Sequence, residues 1–173
     1  MTSNRRPALR AVVSAASISA LALIVPQAVA ADASQSGARV SARADDATRA
    51  IAAQDPHKVS VMANLCGSGY ELIIAERLPD ERRYGTLFAY VKGGAGPSNY
   101  VCALFDNNLG GSMYMKLKIC EQIVSSPKCD TDEGSFSQYA GPVRMKNCPD
   151  ITAIMKDSKG QAIIDAVRGP FCN

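Results

Sequence analysis

The stretch Met113-Tyr114-Met115-Lys116-Leu117-Lys118-Ile119-Cys120 decides the fold class. Every second residue from Met113 to Ile119 is apolar, and the residues between them are tyrosine or lysine. Period two over this length predicts a half-buried β-strand, because successive strand side chains point to opposite faces of a sheet. A helix would scatter the same apolar residues around its axis. The methionines are expected to fill the core behind this strand.

Runs rich in β-branched and aromatic residues surround this strand, and turn residues separate them. These runs are residues 70–78, 86–91, 100–105 and 135–145. The last one contains Gly141-Pro142, which indicates a bent or edge strand. Residues 61–173 are therefore predicted to form an all-β domain of about seven strands, a small β-sandwich or barrel. A chain of this length can bury a core of its own.

The C-terminal region allows two interpretations. Residues 151–156 and 161–167 flank Asp157-Ser158-Lys159-Gly160. A glycine at the end of a short connection favours a hairpin. A helix over residues 162–167 is the alternative, because periodicity alone does not separate the two in short apolar runs.

Residues 1–30 resemble an export signal peptide. Three arginines precede the uncharged residues 11–25, and Ala28-Val29-Ala30 is a small-x-small cleavage pattern. The apolar run is shorter than the roughly 20 residues that a membrane span needs, so no membrane anchor is expected after cleavage. Arg5-Arg6 lacks the aromatic residue that usually follows a twin-arginine pair, and the general secretory route is favoured.

The net charge of the chain comes from this segment. The full sequence carries 19 basic and 16 acidic residues, a net charge of +3. Residues 1–30 contain three arginines and no acid, which leaves 16 basic and 16 acidic residues. A neutral mature chain gives no indication of nucleic-acid binding, and it does not oppose self-association.

Residues 31–60 contain no aromatic residue and no sustained apolar run. Such a segment buries too little apolar surface to offset the entropy of ordering it, so it is predicted to be a flexible polar arm or a pro-segment. The alanines around residues 46–53 also allow a short helix. The sequence leaves open whether this arm is trimmed.

Six cysteines follow the signal, and an even number in an exported chain predicts three disulfide bonds. They are Cys66, Cys102, Cys120, Cys129, Cys148 and Cys172. The chain has no CxxC pair, and its only histidine, His57, lies in the predicted arm. The residue types therefore predict no metal site, no cofactor and no catalytic centre. Six cysteines allow 15 pairings, among which spacing does not choose.

Two short motifs have alternative interpretations. Cys66-Gly67-Ser68-Gly69-Tyr70 could hold a phosphate or form the turn before a strand; the turn is favoured, because phosphate-binding loops precede a helix. Asp130, Asp132 and Glu133 beside Gly134 could ligate calcium, but their spacing departs from the standard loop and favours a solvated turn.

The tyrosines also have two interpretations. Six tyrosines outnumber four phenylalanines. Tyrosines on a sheet face can stack on sugar rings or pack at an interface. Their preference for strands favours half-buried positions for most of them.

Three of these stretches together resemble the spore-associated protein A family, small exported proteins of spore-forming actinobacteria. They are CGSGY at 66–70, YMKLKI at 114–119 and DEGSFSQYAGPV at 132–143. The resemblance extends from Cys66 to Cys172 and implies association with the spore surface without catalytic activity. Relative to this family, Cys120 and Cys129 look like an additional pair, which implies a bond between them. Cys148 with Cys172 and Cys66 with Cys102 then follow.

The expected protein is thus exported, extracellular and non-enzymatic, with a structural role at the spore or cell surface and possible self-association. The alternative is a secreted module that binds cell-wall polysaccharide or inhibits an extracellular enzyme.

Overall fold

The computed structural model describes residues 38–80, 82–93, 96, 98–122 and 124–171. The predicted signal peptide, residues 31–37 of the predicted arm, and Cys172 lie outside these residues. The strands and helices, in chain order, are β1 (Arg39–Val40), α1 (Asp46–Gln54), α2 (Pro56–Cys66), β2 (Glu71–Leu78), β3 (Gly85–Lys92), β4 (Tyr100–Asn107), β5 (Met113–Cys120), β6 (Cys129–Phe136), β7 (Tyr139–Lys146), β8 (Asp150–Lys156) and β9 (Ala162–Arg168).

The strands form two sheets with the orders β1-β2-β3-β4-β7 and β6-β5-β8-β9. Apart from the parallel pair β1–β2, neighbouring strands are antiparallel. The core between the sheets includes Leu87, Val101, Phe105, Met115, Leu117, Ile119, Ile151 and Met155, all fully buried. The predicted disulfide-bonded β-sandwich is confirmed, and so is the hairpin at the C-terminus, formed by β8 and β9.

The two helices cover the outer face of the five-stranded sheet. Val59, Met62 and Ala63 of α2 pack on a second apolar cluster that includes Leu72 and Phe88 of the sheet. Two buried hydrogen bonds also join the layers, from the Ala75 amide to Thr48 Oγ1 (3.0 Å) and from the Tyr90 hydroxyl to the Val59 carbonyl (2.8 Å). The other sheet has no helix on its outer face among the described residues. No described helix is long and apolar enough to cross a membrane.

Local capping defines both helices. The Asp45 carboxylate accepts from the Thr48 amide (2.7 Å) and begins α1. Asp55 ends α1 by donating its amide to the Ile51 carbonyl, and its carboxylate begins α2 by accepting from the Lys58 amide (3.0 Å). Such side-chain acceptors satisfy amides that have no partner inside a helix.

The structure corrects the prediction of a flexible arm over residues 31–60. Residues 38–60 form β1, α1 and the first part of α2, and the predicted domain start at residue 61 falls inside α2. The short helix expected near residues 46–53 is α1. The segment is ordered because its few apolar residues recur at helical spacing and cover the sheet, which composition alone does not reveal.

The single bent or edge strand predicted over residues 135–145 is in fact the end of β6, a turn and most of β7. Residues 139–146 form β7, an edge strand, and a bulge places Gly141 and Pro142 opposite β4. Gly141 has φ 104°, and a Cβ there would lie 2.8 Å from the Ala103 carbonyl oxygen. Only glycine fits this backbone without displacement. Residues 129–136 form β6, which the sequence did not predict.

Candidate functional site

Two disulfide bonds join Cys66 to Cys102 and Cys120 to Cys129. Both match the predicted pairs. The first is buried and fixes the end of α2 to β4, and the second joins the neighbouring strands β5 and β6. Cys148 is also disulfide-bonded. Its predicted partner, Cys172, lies outside the described residues.

The CGSGY motif is a turn, as predicted. Gly67 (φ 100°) caps the C-terminal end of α2, Gly69 has φ 80°, and β2 begins at Glu71. This end of a helix presents carbonyl groups and a partial negative charge, which opposes phosphate binding. The motif instead reverses the chain and places Tyr70 immediately before β2.

The acidic cluster is not the solvated turn that its sequence suggested. Its residues lie in β6, where Asp130 and Asp132 pair with the inward-facing Ile119 and Leu117. Their carboxylates accept from amides of β7, Asp132 from Gly141 (2.7 Å) and Asp130 from Arg144 (2.8 Å). They therefore connect the edges of the two sheets.

The described part of the chain does not bring together the residues of a metal site or of a histidine-based catalytic site. No group of three or more His, Cys, Asp or Glu residues there could hold a metal ion. His57 is exposed in the first turn of α2.

Four of the six tyrosines are buried, half-buried or held by contacts within the protein. Tyr90 is fully buried, and its burial raises the pKa of the phenol. Tyr114 lies on the outer face of the four-stranded sheet, where its hydroxyl donates to Glu133 and the Lys156 ammonium lies 4.5 Å from its ring centre. The hydrogen bond to Glu133 raises the pKa of Tyr114. Tyr84 and Tyr139 are half-buried.

Two remaining tyrosines contribute to a row of side chains across four neighbouring strands. Lys92 pairs directly with Tyr100, and Tyr100 with Lys146, so these three share a face. Tyr70 precedes β2 at the same level, with its ring centre 5.8 Å from the Lys92 ammonium. We call this set (Tyr70, Lys92, Tyr100 and Lys146) the Tyr–Lys row.

The Tyr–Lys row lies just beyond the C-terminal end of α2. Cys102 is two residues from Tyr100 on β4 and bonds to Cys66, so the row faces the helical side of the sheet. Neighbouring strands are about 4.8 Å apart, which puts Tyr70 and Tyr100 about 10 Å from each other on either side of Lys92. This spacing leaves room for an extended ligand to contact both rings.

The row is positively charged, and all of its residues except the half-buried Tyr70 are exposed. Half of the Tyr100 surface is accessible (50%), and both lysines are exposed. Neither lysine forms an ion pair with a described carboxylate. Arg144 adds a third cation and donates to the Leu65 carbonyl at the end of α2 (2.7 Å). Burial raises the pKa of Tyr70, and the Arg144 charge opposes that shift.

The turn of CGSGY supports the row directly. A Cβ on Gly69 would lie 3.3 Å from Lys92 Cε, so the absence of a side chain lets the lysine stem lie over the turn. Beside it, a cavity of about 220 Å³ is lined by the turn together with Arg39 and Asn64.

No family model, curated protein or solved structure matches this chain. Function must therefore be inferred from its own geometry. The sequence indicates Tyr70 and Tyr100 as candidates for stacking, but it gives no indication of Lys92, Arg144 and Lys146. Only the register of the strands brings them together, and no local pattern indicates that register.

Proposed function

We propose that this chain is an exported, non-enzymatic protein that associates with the spore or cell surface by binding an anionic wall polysaccharide along the Tyr–Lys row. The observation that carries this proposal is the alternation of an exposed ring (Tyr100) and a half-buried ring (Tyr70) with two lysines that form no ion pair with a described carboxylate. Location at a spore is suggested by the family resemblance alone. The disulfide bonds are consistent with an oxidising, extracellular environment.

Each part of the row has a distinct role in binding. A tyrosine ring offers a flat apolar surface for the face of a sugar and loses little conformational entropy when it does so. The ammonium groups attract carboxylate or phosphate groups on the polymer. Because these cations are exposed, their contribution falls as salt screens them, with a Debye length of about 8 Å at physiological ionic strength.

The proposal is tested by sedimentation with protein-free wall material, either complete or extracted to remove its anionic polymers. Saturable retention is expected on complete wall and a large loss on extracted wall. Tyr100→Ala should weaken binding about tenfold, which corresponds to ~1.4 kcal/mol. Lys92→Gln should weaken it and reduce its dependence on salt.

Tyr114→Ala is the matched control, because it removes a tyrosine from the outer face of the opposite sheet. Equal losses for Tyr100→Ala and Tyr114→Ala would contradict the assigned site. Fractionation of spores, mycelium and medium, followed by mass spectrometry, tests the location and the cleavage before Ala31. A chain retained inside the cell would overturn the proposal.

A further inference from the structure

A second cavity, of about 260 Å³, lies where the junction of the two helices meets the sheet. Its apolar lining comes from Ile51 and Val59 of the helices and from Phe88 of β3. Val59 and Phe88 are almost completely buried, so they form a fixed floor. The cavity is slightly smaller than the roughly 300 Å³ at which drug-sized pockets begin, and it is suited to a small molecule.

Three basic residues line the same cavity: Lys58, Arg77 and Arg83. The Lys58 ammonium is already paired with the buried Asp106 carboxylate at 2.6 Å. Arg77 donates to the neutral Gln54 Oε1 (3.0 Å). Neither Arg77 nor Arg83 has a carboxylate of the described residues within ion-pair distance. Within the described part of the chain, two guanidinium groups therefore have no carboxylate as an ion-pair partner.

One carboxylate at the rim of the cavity, that of Asp55, offsets part of this positive charge. Asp55 accepts from the Lys58 amide at the start of α2, and this hydrogen bond holds its carboxylate at the end of the helix. The desolvated Asp106 beneath is paired with Lys58, and its burial raises its pKa. Because Lys58 and Asp106 pair with each other, the described lining of the cavity keeps two guanidinium groups against one carboxylate, a net positive charge.

The backbone at Arg83 gives an independent reason to consider this side chain. Its φ is 53°, in the left-handed region that a residue with a Cβ adopts at an energetic cost. The Arg83 amide donates to the Pro79 carbonyl (2.8 Å), and its own carbonyl accepts from Asn108 Nδ2 (3.0 Å). Glycine would adopt this conformation with less strain, whereas arginine adds a cation at the cavity.

We propose that this cavity binds a small organic anion, a carboxylate attached to a flat apolar body. A guanidinium group matches a planar carboxylate through two parallel hydrogen bonds, and the apolar body would cover Val59 and Phe88. An inorganic oxyanion has no apolar body to occupy the part of the cavity beside Val59 and Phe88. This site is separate from the Tyr–Lys row and does not depend on the proposed function.

The proposal is tested by NMR titration of the purified, oxidised protein with benzoate, benzamide and inorganic phosphate. Benzoate should shift the amide signals of Thr86 and Phe88 at saturation. Benzamide has the same shape without the charge and should bind at least tenfold more weakly. Phosphate should also bind at least tenfold more weakly than benzoate, because it lacks the apolar body.

The variants separate the arginines from their neighbours. Arg83→Gly and Arg77→Gln should each weaken benzoate binding at least tenfold, whereas Arg82→Gln, at the adjacent position where the guanidinium lies over Tyr84, should leave it unchanged. The melting temperature of Arg83→Gly should be no lower than that of the wild type, since glycine removes the strain. Arg77→Gln provides a second test that does not alter this backbone.

Three results would overturn the assignment. One is benzamide or phosphate binding as tightly as benzoate. Another is unchanged benzoate affinity in both Arg83→Gly and Arg77→Gln. The third is equal weakening by Arg82→Gln, which would indicate a general charge effect in place of a site.

Discussion

The two described disulfide bonds should contribute unequally to stability. Cys66–Cys102 spans 36 residues of chain, and Cys120–Cys129 spans nine. In the loop-entropy treatment, the longer bond restricts the unfolded chain by about 3.8 kcal/mol and the shorter by about 2.6 kcal/mol. Replacing each pair with alanines should therefore lower the free energy of unfolding by different amounts, about 1.2 kcal/mol apart.

Packing should widen this difference. Cys66 and Cys102 are buried between α2 and the sheet, whereas Cys129 is exposed on an edge strand. The alanine pair at 66 and 102 therefore also leaves poorly filled space, which adds to the loss.

The assay is urea unfolding of the wild type and both double variants, followed by far-UV circular dichroism and fitted with a two-state model. The variant lacking Cys66–Cys102 should have the lower free energy of unfolding. If both variants lose the same stability, or if the variant lacking Cys120–Cys129 loses more, the reasoning from loop length and burial is refuted.

Three further predictions concern carboxylates. Asp132→Ala leaves the Gly141 amide without its acceptor and should cost about 1–3 kcal/mol in urea unfolding; an unchanged midpoint would contradict the connection between the sheet edges. Asp45→Ala removes the cap on the Thr48 amide and should cost about 1 kcal/mol; because this cap lowers the pKa of Asp45, its contribution exists at neutral pH and should disappear on acidification. Asp106 has a raised pKa, so the stability of the wild type relative to Asp106→Asn should increase as the pH falls towards about 4; a decrease would contradict the sign.

Residues with a strong local signal were predictable. The alternation of apolar and polar residues over 113–120 predicted β5, and Gly160 predicted the turn between β8 and β9. In contrast, β6 contains three acids and a glycine, which are poor strand formers. Residues 129–136 are extended because β5 supplies the hydrogen-bonded neighbour and because two carboxylates find amides on β7. Such partners lie outside any sequence window.

The candidate sites were less predictable than the fold. Tyr100, Lys92 and Lys146 meet only because three strands align, and Arg83 enters its cavity through a left-handed backbone that no motif indicates. Helix α2 was missed although six of its eleven residues are apolar, because the domain boundary predicted at residue 61 divides it between the polar arm and the β domain.

The bond between Cys66 and Cys102 also determines how the protein would respond to mechanical tension. If the chain were pulled from its two ends, the disulfide bond would transmit force from α2 directly to the interior strand β4 and bypass the segment that contains β2 and β3. The 35 residues between the two cysteines (36 minus one) would bear no tension. Strands β2 and β3 could therefore not be extended until that bond was broken. At about 3.5 Å per residue, this withholds roughly 120 Å of contour length. Under such tension β2 and β3 would remain paired with each other even after the strands outside the bond had separated.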